Sequence, residues 1–104
     1  QFPKGGVAEN FQKAYLKKYK EAPTSSFSVY GAAAAQVILD SIARSNGTRK
    51  DVWMKMKTVD ISATKSVVGT RLKFDDNGDI LSRDITILIV KDKTETFVKK
   101  ITVK

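Results

Sequence analysis

Apolar positions recur at helical spacing through the first half of the chain and at alternating spacing through the second. From Ala8 to Lys20, Phe11, Tyr15 and Tyr19 recur every four residues, and Leu16 widens the stripe. This pattern predicts a first helix whose aromatic stripe packs, with Lys13, Lys17, Lys18 and Lys20 beside or opposite it. Pro23 is expected to end it, because proline lacks an amide hydrogen and restricts the residue before it. A second helix is predicted from Phe27 to Ser45. Val37 or Ile38, together with Ile42, form its bulky stripe, and Asp40 and Arg44 mark its wet side. The run Gly31-Ala-Ala-Ala-Ala35 carries almost no side-chain bulk, so another element can approach the buried first half closely. Asn46-Gly47 tolerates positive φ and stops the helix.

Thr48-x-x-Asp51 reads as a capping box, although Asp is a weaker fit than Glu at its last position. It opens a third helix, Arg49 to Val59, with Val52, Trp53 and Met56 as the apolar face and Trp53 as its packing anchor. Residues 60–65 follow neither period and read as a loop. Three strands are expected beyond them. Thr70 to Phe74 places Leu72 and Phe74 on one face, and Asp75 to Asp79 forms a tight turn around Asn77-Gly78. Ile85 to Val90 alternates only partly, as a strand covered on both faces does. After a polar reversal at Lys91 to Glu95, the last strand places Phe97, Lys99, Ile101 and Val103 on one side. The predicted order is helix, helix, helix, strand, strand, strand, an α/β arrangement.

Composition narrows the chemistry more than it names it. The 104 residues include neither cysteine nor histidine, which excludes a disulfide framework, a thiolate zinc site and a histidine base. The net charge of +8 favours anionic partners in general, but the lysines are spread over several elements. Asp75, Asn77 and Asp79 imitate the start of a calcium loop. Its sixth position, however, is Ile80 where glycine is needed, and its twelfth is Thr86 where a bidentate glutamate is needed. A turn whose Asp and Asn side chains bond nearby amides is the better reading. Ser62-Ala-Thr-Lys65 has the Ser-x-x-Lys spacing of some acylases, without the Ser-Asp-Asn or Lys-Thr-Gly elements that accompany it there. No catalytic group, metal site or cofactor is assigned. Residues 1–6 show no initiator methionine and no signal-peptide core, the start expected of an excised or processed segment.

Several soft motifs combine in one order: Phe11-x3-Tyr15-x3-Tyr19-x3-Pro23, Phe27-x3-Gly31-Ala-Ala-Ala-Ala35, Val68-Gly69 and Phe74-Asp-Asp-Asn-Gly-Asp79. Together they resemble the last third of a type I periplasmic solute-binding protein, in the branched-chain amino-acid and amide-binding family that serves ABC importers. The aromatic-Asp pair that often follows the glycine in that family is Ala32-Ala33 here. The resemblance implies the C-terminal fragment of a two-lobed fold, with residues 1–68 closing the first lobe and residues 69–104 supplying the last crossover and terminal strands. It implies non-catalytic capture of a small amino acid or amide in a cleft, in the periplasm or outside the cell, with an ABC permease as partner and a lipid anchor as an option on a missing N-terminus. Ser25, Ser26 and Phe27 match the region where a cleft-lining contact is found, and packing alone is an equal role for Phe27. Helix faces left without their sheet are expected to be covered by a copy of the chain or by another chain. The competing reading is a small basic module that binds RNA or an acidic protein surface.

Overall fold

The computed structural model describes residues 4–25 and 27–103. Three helices, α1 (Val7–Tyr19), α2 (Phe27–Arg44) and α3 (Arg49–Lys57), precede four strands, β1 (Asp60–Ile61), β2 (Leu72–Lys73), β3 (Asp84–Lys91) and β4 (Thr94–Thr102). The strands form two separate antiparallel pairs, β1 with β2 and β3 with β4. The chain therefore mixes helices with two small antiparallel sheets.

The core is built on one stripe of α2. Val29, Ala33 and Val37 recur every four residues and face Val59, Ile61, Val67 and Leu72, with Phe11, Met56, Phe74 and Ile80 packed around them. Ser41 continues the stripe fully buried, and its hydroxyl donates to the Val37 carbonyl at 2.7 Å, so it carries no unpaired polar atom. Val37 was one of two options for the bulky stripe and is the one buried. Ile38 and Ile42 face away from the core, 44% and 48% exposed. The expected wet side holds, because Arg44 and Asp40 form an ion pair at 2.8 Å.

The boundaries differ from expectation for local reasons. α1 ends at Tyr19, before Pro23, because Lys20 adopts a left-handed cap at φ 64 and donates its amide to the Leu16 carbonyl. The aromatic stripe of α1 packs at one end only. Phe11 reaches the core, whereas Tyr19 is 53% exposed and lies 4.6 Å ring to ring from Tyr15. α3 opens as predicted, with the Thr48 side chain accepting from the Asp51 amide. The reciprocal half of the box is displaced, since Asp51 accepts from the Asn46 amide at 2.8 Å. Replacing Thr48 by alanine is expected to cost about 1 kcal/mol, read as a lower urea midpoint at unchanged slope.

Trp53 is not a packing anchor. It is 55% exposed with the Lys57 ammonium 3.8 Å from its ring centre, and Met56 makes the core contact instead. The segment read as a loop contains a strand, because Asp60 and Ile61 pair with Lys73 and Leu72. That pairing confines β2 to two residues and makes the order three helices followed by four strands. Leu72 and Phe74 do share the core face, as alternation required.

β3 and β4 correct two further expectations. Residues 85–102 are exposed throughout, so β3 is not covered on both faces. A register shift between Ile87 and Leu88 pairs Ile87 with Lys99 and Leu88 with Phe97. Ile87 and Leu88 point to opposite faces, so this bulge separates Phe97 from Lys99 and Ile101. The polar reversal narrows to Asp92 and Lys93, both at positive φ (50 and 63), the geometry of a two-residue type I′ turn.

Asp84 anchors the base of this ribbon, accepting from Lys100 Nζ and Thr102 Oγ1, each at 2.7 Å. The Lys100 bond first, and the Thr102 bond second, hold its carboxyl below the usual range. Its folded value is depressed, so its stabilisation is complete above the unfolded value of about 3.9 and is lost as pH falls through the lower folded one. Amide exchange at Ile101 and Thr102 is expected to speed up below about pH 4. Asp84→Asn should remove that acid dependence.

Candidate functional site

The entry to α2 carries the sequence-predicted residues that the structure describes. Ser25 precedes the helix, its hydroxyl accepting from the Phe27 amide and its carbonyl from the Ser28 amide, both at 3.1 Å. Phe27 opens the helix 76% exposed. Ser26 lies outside the described residues. Phe27 does not pack into the core; its ring meets that of Tyr30, 6.3 Å away and tilted by 46°. Tyr30 was missed in the sequence, although spacing three on a helix places it beside Phe27. The result is a helix N-terminus with a hydroxyl at its mouth and two exposed rings alongside. Partial positive charge from the amides suits a carboxylate or amide oxygen, and the rings suit an apolar side chain.

A second concavity lies farther along α2. A shallow groove of about 450 Å³ is lined by Gln36, Leu39, Asp40, Asp60, Ile61, Ser62 and Lys65. Gln36 bridges its rim, donating to the Lys65 carbonyl at 2.7 Å and accepting from the Val67 amide at 3.0 Å. Asp60 takes two bonds from Arg71, at 2.7 and 2.5 Å, and that partner above all holds its carboxyl below the usual range. Nine residues of helix separate Gln36 from Phe27, roughly 13 Å along the axis, so the two places do not merge.

The motifs without partners stay without chemistry. The Ser62 hydroxyl is 3.1 Å from the Thr64 hydroxyl, and no hydrogen bond joins it to the Lys65 ammonium among the described residues. Asp75 Oδ1 accepts from the Asn77 and Asp79 amides, each at 2.9 Å, which is the side-chain-stabilised turn expected there. Gly78 takes the positive φ of 87 that the turn needs, and Asn77 does not share it. Among the described residues no helix is long and apolar enough to cross a membrane.

A relative with a printed function shares part of this chain. Leu/Ile/Val-binding protein homolog 7 of Brucella abortus (strain 2308) is 39% identical over 70 residues. The proteins of the same name from Brucella suis biovar 1 and Brucella melitensis biotype 1 match to the same extent. The matched stretch covers 66% of this chain and spans 18% of the relatives' length. No family model matches the chain, and no solved structure matches it significantly. The similarity suggests a solute-binding, non-catalytic role.

Proposed function

We propose that this chain forms part of a solute-binding protein that captures a small apolar amino acid or its amide and passes it to an ABC-type permease without catalysis. The observation that carries this reading is the 39% identity over 70 residues to proteins named for binding Leu, Ile and Val. The entry to α2 supports it physically. A ligand carboxylate or amide would meet the hydroxyls of Ser25 and Ser26 and the helix N-terminus, and its aliphatic side chain would lie against Phe27. Capture then follows from a second surface closing over this one, since contacts that bridge two rigid bodies drive closure. Such a protein acts in the periplasm or outside the cell, where it meets the permease, held there by a lipid anchor or free. On this reading residues 1–68 close one lobe and residues 69–104 supply the crossover.

The test is a calorimetric titration of the complete gene product with leucine, isoleucine and valine. Phe27→Ala is expected to weaken binding about tenfold, the loss of roughly 1.4 kcal/mol of contact. Trp53→Ala, on the exposed side of α3, should leave it unchanged. Equal affinity in the Phe27 variant would remove Phe27 from the site.

A further inference from the structure

Two uncovered apolar surfaces of matching length lie on this molecule. The first is the outer face of α2, where Phe27, Gly31, Ala34, Ile38, Leu39 and Ile42 carry no charge. Phe27 and Leu39 are 76% and 65% exposed, and an added Cβ at Gly31 would meet nothing within 4 Å. The second is the isoleucine face of the ribbon, formed by Ile85, Ile87, Ile89 and Ile101, which the pairing register places on one side. These four are 36–54% exposed. An 18-residue helix and an eight-residue strand each run about 27 Å. A two-stranded ribbon without a covered face is marginal in water.

We infer that two copies of the chain associate reciprocally, the ribbon of each lying along the outer face of α2 of the other. Area decides for this arrangement over simpler ones. Half-exposed large side chains at on the order of 80 Å² apiece give each face roughly 400 Å². Pairing one face with one other buries about 800 Å², no more than an incidental contact does. The reciprocal pair buries about 1,600 Å² over four faces, the standard size of a stable interface. The small residues in the middle of α2 admit the β-branched isoleucine row closely, and the two-fold arrangement closes, so it stops at two copies. The pairing is independent of the ligand reading.

Sedimentation velocity of the 104-residue chain at about 50 μM is expected to show a species of twice its 11.5 kDa mass. Ile38→Lys and Ile87→Lys each place a charge on one of the two faces at an exposed position. Each should raise the dimer dissociation constant at least about thirtyfold, a loss of some 2 kcal/mol, with unchanged circular dichroism. Mixing the two variants should recover part of the association, because one ribbon and one helix face remain intact in the mixed pair. A monomer overturns the inference, as does an open-ended series of larger species. An intact dimer in Ile87→Lys beside a broken one in Ile38→Lys assigns the contact to helices alone and overturns it too. Protection of both faces in a monomeric complete gene product assigns them to packing within one chain, and likewise overturns it.

Discussion

Val29→Asp is expected to abolish folding at 25 °C. Val29 is 2% exposed, and the residues clustered with it are Ala33, Val37, Val59, Ile61, Val67 and Leu72, none of which offers a side-chain donor. An isolated carboxylate there must stay charged without a partner or take up a proton and bury an unpaired hydroxyl, a cost of several kcal/mol either way. A domain of this size has about 5–10 kcal/mol of stability to lose. The variant should lose the helical far-UV signal without denaturant. Ile38→Asp is the control within the same helix. Its side chain points away from the core, so the unfolding free energy should change by less than about 1 kcal/mol. A folded Val29→Asp would mean that the core lies elsewhere.

Gln36→Leu is expected to cost about 2 kcal/mol through an unpaired amide. The Gln36 side chain ties the stretch 62–69 to α2 by two bonds of opposite sense, to the Lys65 carbonyl and from the Val67 amide. Leucine keeps the volume and removes both. Lys65 is exposed, so its carbonyl recovers a water; Val67 is 6% exposed, so its amide recovers little. Hydrogen exchange should report this locally. The Val67 amide should lose protection in Gln36→Leu, while the Ile101 amide in the distant ribbon should not. Unchanged protection at Val67 would show that this clip does not hold the segment.

What could be read from the sequence follows the range of the forces involved. All three helices were legible within two residues, because spacing along α1 and α2 and the Thr48 cap are local signals. The Asp75 turn was legible for the same reason, its bonds spanning four residues at most. Tertiary pairing was not. Asp60 and Ile61 become a strand only because Leu72 and Lys73 pair with them, and nothing in residues 60–65 alone encodes that. The bulge beside Leu88 is likewise invisible in a strand that alternates cleanly, yet it moves Phe97 to the face opposite Ile101.

The choice between two stripes on α2 shows the limit most clearly. Val37 and Ile38 are both apolar, and both lines of spacing four along the helix are apolar through most of their length. Only the neighbours, Val59 and Ile61, decide that Val29, Ala33 and Val37 are buried and Ile38 and Ile42 are not. The same holds for Trp53, whose ring is large enough to anchor a core and instead lies under the Lys57 ammonium. For the candidate site, Ser25 and Phe27 were legible through family resemblance, whereas Tyr30 and the Gln36 clip needed the fold.

The most direct measurement of the central claim is ligand-dependent melting of the complete gene product against leucine, isoleucine, valine and their amides, with RNA as the comparison. A solute-binding protein should melt several degrees higher at a hundredfold excess of ligand over its dissociation constant, where linkage supplies about 2.7 kcal/mol. RNA should leave the transition in place. A melting point indifferent to every amino acid and amide, with RNA raising it in a strongly salt-dependent way, would contradict the solute-binding account and identify the chain as a basic interaction module.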